Sequence, residues 1–472
     1  MPRFVAPRVV FLQLLATAAS IVPTVAMTDL TWIPKSACPI SGVHHPITFA
    51  NETHGFLLTG STYESTTSSE FYMYDESTDT WTDLTASSEE SAFPGPARSF
   101  GYGVVLAESR STKAYLGFGA AADGRRLADL WEFDMSTHEW RQLPDCPGLG
   151  RRHPAMNAVR NSINDKWEIH VGLGDTYTDQ GGFSNLNDWW VYDVETFAWR
   201  QGPDLPSTTR HHPFHFAING MSYAGLGHSN SRIERDWFVL GSSADEFQQE
   251  PSFASYEVID ADNGMPSVLS DGPVTTEARV AGTQFSIELP LANAVNEGAS
   301  TLSGSLGFVL SGDGDDHGTM STGEFHAFYP SGNVLMDGPD GPTSSWWRRL
   351  PPHPGKSRWA PGSFVMRGTA RAYFTSGYDR ADQVLYNDLW MMDLSPLFDS
   401  VTRDGPENGI VVDSSGPVVD GNVEYGTGVK PNRDALSVDN LDEDATSGVS
   451  RLDMQIYIGI GCIVSVFLPS LF

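Results

Sequence analysis

Along most of the chain, apolar residues come in short runs rich in aromatic and β-branched side chains, broken by clusters of Gly, Asp, Ser and Pro. Such runs suit a pleated, half-buried surface, and the breakers mark turns. Residues 100–143 show the pattern most clearly. Phe100 to Val105 reads as a first strand, Lys113 to Gly119 as a second that ends in glycine, Leu130 to Asp134 as a third and Glu139 to Leu143 as a fourth. The unit recurs. Trp81, Trp140 and Trp199 stand 59 residues apart (140 − 81 and 199 − 140), each after an aromatic strand that ends in Asp75, Asp134 or Asp193. The glycine ending returns at Gly60, Gly174, Gly227, Gly312 and Gly377. A self-similar unit of this size is one supersecondary element that cannot bury its apolar face alone, so the chain reads as an array.

Glycine-ended second strands, an aromatic third strand closing near Asp, and a Trp several residues later resemble kelch repeats. The stretch from Arg210 to Gly227 is similar to the kelch phrase of secreted propellers. The resemblance covers roughly residues 28 to 396 and is weak between 241 and 303. It implies a β-propeller, whose radial repetition leaves only short protected edges. First strands begin near His45, Arg98, Arg152, His211, Arg279 and Arg358, which makes six blades. The sixth has a third strand, Asn387 to Asp393, but no Trp after it. Residues Asp29 to Pro34 read as the missing fourth strand. Trp32 precedes Pro46 by 14 residues, as Trp140 precedes Pro154, Trp199 precedes Pro213 and Trp347 precedes Pro361. The expected fold is therefore all-β: a six-bladed kelch-type β-propeller closed by its N-terminal strand, which hides the end edges and holds down the terminus.

The propeller is expected over residues 27–398, with different material on either side. Residues 1–26 have the basic start, apolar stretch and small-residue end of a signal peptide. Residues 399–453 lack Trp and Phe and show no strand or helix period, which predicts a flexible acidic linker. Residues 454–472 are a mostly apolar tail. Small residues at Ser447 to Val449 and the lack of a basic flank after the tail resemble a glycosylphosphatidylinositol anchor signal, with a single membrane span as the alternative. The sequence thus points to the secretory pathway and a membrane-anchored surface location. Asn51 lies in the single glycosylation sequon. Cys38 and Cys146 each follow a blade's Trp by six residues, in blades separated by another blade, and are expected to be free buried thiols. A net charge of −30 argues against a nucleic-acid partner.

The candidate site is the start of each first strand, where a propeller lines its axis. His45, Arg98, Arg152, His153, His211, His212, Arg279 and Arg358 stand at comparable points and could form a basic ring for an anion. The competing reading has the arginines bonding backbone carbonyls and the histidines packed beneath the rim. Asp313, Asp315 and Asp316 form a weaker candidate for Ca²⁺ that matches no EF-hand spacing. No nucleophile–base motif, zinc spacing or phosphate loop is visible, so no catalytic residue, metal or cofactor is assigned. The reading is a monomeric recognition module for protein or glycan. The alternative is a carbohydrate-active enzyme of epimerase or mutarotase type, because the kelch resemblance includes secreted propellers that interconvert sialic-acid anomers. Copper oxidases of the galactose oxidase type share the architecture, but neither cysteine sits in a matching crosslink motif.

Overall fold

The computed structural model describes residues 30–62, 69–106, 112–178, 181–241, 279–289, 304–314, 317–330, 334–338, 341–345, 347–398 and 410–412. The expected signal peptide, the anchor tail, Asp315 and Asp316 fall outside these, as does most of the linker. Six antiparallel sheets form a six-bladed propeller. Their innermost strands are Ile47–Ala50, Tyr102–Val105, Ala155–Arg160, Phe214–Ile218, Thr283–Leu289 and Gly362–Val365. Blade four has three described strands, the last being Trp237–Leu240. The sixth blade is completed by Ile33–Lys35, which runs antiparallel to Leu389–Asp393 with Ile33 opposite Met391. The ring is thus sealed by its N-terminal strand. Within 399–453, Ile410–Val412 pairs in parallel with Val334–Gly338.

The repeated residues have repeated tasks. Asp75, Asp134, Asp193 and Asp393 each end a third strand, and their Oδ1 atoms accept backbone N–H bonds from the turn that follows. Each tryptophan then ties its blade to the one before. Trp81 Nε1 donates to Ser36 O, Trp140 Nε1 to Ser91 O and Trp199 Nε1 to Pro144 O, at 2.8–3.0 Å. Trp32 makes the same kind of bond to Pro351 O at 3.2 Å, so it fills the sixth blade's position. These indoles are half-buried and flank apolar layers between neighbouring blades. Trp140, for example, lies against Phe71 of blade one and Phe133 of its own blade. The amphipathic indole suits this place, with its ring on apolar surface and its N–H on a carbonyl.

Glycine at the end of the second strand is fixed by a close approach. Gly119, Gly174, Gly227, Gly312 and Gly377 donate N–H bonds to Arg151, Arg210, Arg279, Arg358 and Val43, the residue that enters the next blade. A Cβ on Gly174, whose φ is +90°, would stand 2.3 Å from Arg152 O. Cys38 and Cys146 are free and buried. Their N–H groups bond equivalent carbonyls, of Asn387 and Ala128, which confirms that they hold the same position in different blades. Burial pushes their thiols up to about 12 and about 11.

Candidate functional site at one axial mouth

The chain enters each first strand through the same four positions, aligned by the proline or glycine at the fourth: Pro46, Gly101, Pro154, Pro213, Gly282 and Pro361. The first position holds Val43 or an arginine. Arg98, Arg151, Arg210, Arg279 and Arg358 are at most 1% exposed. Each binds a carboxylate of its own blade: Asp129, Asp188, Asp236, Glu324 and Asp388 respectively. Arg358 is typical, with forked bonds of 2.6 and 2.7 Å to Asp388 and a third to Ser376 O. Three of the expected ligand residues, Arg98, Arg279 and Arg358, are therefore shielded from solvent and do not form a ring at the mouth. They lock each blade internally, through carboxylates as well as carbonyls.

The second and third positions make the mouth. The third holds His45, Phe100, His153, His212, Ala281 and Ala360, all at φ between 45° and 66°. This left-handed backbone is strained for side chains with a Cβ, by about 1–3 kcal/mol each. Hydrogen bonds around the axis hold it: His45 N–H to Ala360 O, His153 N–H to Phe100 O and Ala360 N–H to Ala281 O. His45, His153 and His212 come together on the axis. His45 Nε2 lies 2.9 Å from His212 Nε2, and the His153 and His212 rings stack at 3.4 Å. Burial, with His212 and Arg152 nearby, pushes the His153 imidazole well below its usual range. The second position supplies Arg152 and His211. Arg152 Nη2 binds Asp175 Oδ2 at 3.0 Å, and His211 Nδ1 faces Asn185 Oδ1 at 2.8 Å. Five of the sequence candidates thus meet here: His45, Arg152, His153, His211 and His212.

Further residues at the mouth come from the loops between second and third strands, and Trp359 from the second position of blade six. The hairpin of Asp175–Tyr177 and Phe183–Asn185 leaves Tyr177 and Phe183 42% and 45% exposed. The Arg126 guanidinium lies over Tyr177 at 4.0 Å, and Arg152 lies 5.7 Å from the Phe183 ring. Across the mouth, Arg380 stacks on Trp359 at 4.1 Å and binds Asp313. Asp313 is thereby placed in an ion pair, while its two companion aspartates lie outside the described residues. Asn51 lies in the turn between the first two strands of blade one, where its side chain accepts from Thr53 N and His54 N.

Behind the mouth the first strands enclose a cavity of about 260 Å³. Its wall carries a polar belt: Gln284 reaches His215 at 2.9 Å, and Asn157 bonds Ser222 and Tyr223 O. Arg160, Glu288 and Arg367 also line it. Burial pushes His215 down to about 3. An unfolded histidine titrates near 6.5, so below that pH the unfolded chain takes up a proton that folded His215 refuses. Stability should be full above pH 6.5 and fall as pH drops toward 3. The slope from this residue is about 1.4 kcal/mol per pH unit. Denaturant unfolding at several pH values checks this. His215→Gln should flatten the slope, and an unchanged slope would contradict a buried neutral ring.

No family model matches the chain, and no curated protein matches it.

Proposed function

We propose that this protein is a secreted or surface-anchored recognition module of kelch type that binds a protein or glycan at the histidine-lined mouth. The observation that carries the reading is the exposed Tyr177–Phe183 pair held against Arg126 and Arg152 beside the axial histidines. Aromatic and arginine side chains dominate binding hot spots, and flat rings stack on sugar faces. Arginine forks favour carboxylate or sulfate, so acidic sugars are the first glycan class to test. The leader-like residues 1–26 and the apolar tail support the secretory location; release from cells by phosphatidylinositol-specific phospholipase C tests the anchor, and retention would favour a membrane span.

A glycan array carrying uronic, sialic and sulfated sugars tests the recognition reading. Binding without turnover, reduced about tenfold or more by Tyr177→Ala, supports it, since one hot spot is worth upwards of 1.4 kcal/mol. Binding that ignores Tyr177 and Phe183 would move the site elsewhere. A second reading, a carbohydrate-active enzyme of epimerase or mutarotase type, is favoured by the cluster of buried histidines and Asp175 on the axis. Product formation from an acidic sugar would select it.

A further inference from the structure

The strongest unexplained feature of the molecule is the axial trio of histidines. Three imidazoles from three different blades, His45, His153 and His212, have ligand nitrogens within 4.8 Å of one another, and all three are buried. They arrive there on strained left-handed backbone that the ring of interblade hydrogen bonds enforces. Packing alone does not need imidazole at this level, because the same position is filled by Ala281 and Ala360 in two other blades.

The hydrogen bonding of His153 is the second observation. Its Nδ1 lies 3.0 Å from Asp175 Oδ1, so Nδ1–H donates to the carboxylate. That leaves Nε2 as a lone pair, and this buried atom has no hydrogen-bond partner. A histidine fixed by a carboxylate, with its other nitrogen bare, is the arrangement that orients metal-binding imidazoles. Asp175 is itself held by Arg152, so the support extends one shell further. His45 Nε2 and His212 Nε2 face each other at 2.9 Å, a few tenths of an ångström inside the roughly 3.3 Å between two nitrogens on a tetrahedral ion, and the stacked His153 and His212 rings must part slightly for both to ligate. The proton shared between these two nitrogens must move to Nδ1 of its ring when the ion binds, so that both rings carry Nδ1–H and present Nε2 lone pairs.

We propose that His45, His153 and His212 bind one divalent transition-metal ion on the propeller axis. Three neutral imidazoles are borderline ligands that suit Zn²⁺, Co²⁺, Ni²⁺ or Cu²⁺ and leave a fourth position for a non-protein ligand. The charges around the site say what that ligand is. Arg126, Arg152 and Arg380 share Asp175 and Asp313, an excess of one positive charge before the metal arrives. An anion or hydroxide therefore completes the site. The proposal does not depend on glycan or protein recognition at the rim.

The test uses the purified protein, stripped with a chelator and titrated with Co²⁺ and then Zn²⁺. The expected result is one Co²⁺ per chain, with the visible absorption of a four-coordinate ion, displaced by one Zn²⁺. Asp175→Asn should weaken binding about 10–100-fold while keeping the stoichiometry. The triple change of His45, His153 and His212 to Gln should abolish it, and His54→Gln, far from the axis, should leave it intact. Melting temperatures of the metal-free forms separate misfolding from ligand loss. Wild-type protein with no saturable one-to-one site, or a folded triple variant that still binds, overturns the proposal.

Discussion

Replacing Asp388 by alanine is expected to lower the free energy of unfolding by about 3–5 kcal/mol, the usual effect of stranding one member of a buried ion pair. Asp388 accepts both forks of Arg358 and the Trp390 indole N–H at 2.7 Å. Both partners are nearly sealed from water. The alanine variant leaves a buried guanidinium and a buried indole donor without their acceptor. The same Arg–Asp–Trp arrangement recurs as Arg98–Asp129–Trp131 and Arg151–Asp188–Trp190. Asp129→Ala should therefore behave alike. Denaturant unfolding measures both, and a loss below about 1 kcal/mol, the range of an exposed pair, would contradict the structural role given to these arginines.

The second large effect concerns the seal. Removing residues 30–35 takes the fourth strand from blade six and uncovers Leu389–Asp393 as an open edge. It also removes Leu30 and Trp32 from the apolar layer between blades five and six, where Trp32 lies 5.7 Å from Phe325 and 6.1 Å from Phe374. An unpaired edge beside exposed apolar surface invites association. The truncated protein is expected to lose its cooperative transition or aggregate. Trp32→Ala, which keeps the strand, should cost about 3 kcal/mol as a large aromatic truncation. A truncated protein that melts like the full one would refute the closure.

The sequence carried the ring because its determinants are periodic. Trp32 could be placed in blade six from its spacing to Pro46 alone, and the aspartates marked the turns they cap. The site was legible only in part, and the reason is register. Arg152 was aligned with Arg98 and Arg358, whereas the fourth-position proline or glycine aligns Arg151 with them. Neighbouring residues of an extended chain face opposite ways, so a slip of one exchanges a buried clasp for a residue at the mouth. The histidines survived the slip because two blades carry them in adjacent or doubled positions. Tyr177, Phe183 and Arg126 were missed, since the loops between second and third strands differ in sequence from blade to blade. Asp175 was missed too: it directly follows Gly174, a position held elsewhere by Ser61, Ala120, His228, Asp313 and Tyr378, so no single residue type marks it. The carboxylate partners were detectable: Asp129, Asp188 and Asp388 each stand two residues before a tryptophan.

On the proposed function, the propeller presents its chemistry at the mouth where the first strands begin. A crystal soaked in glucuronate tests it most directly. The sugar ring is expected against Tyr177 or Phe183, with its carboxylate on Arg152 or Arg126 beside the axial histidines. Glucuronate bound instead among Arg160, Glu288 and Arg367 in the channel, or nowhere on the propeller, would contradict it.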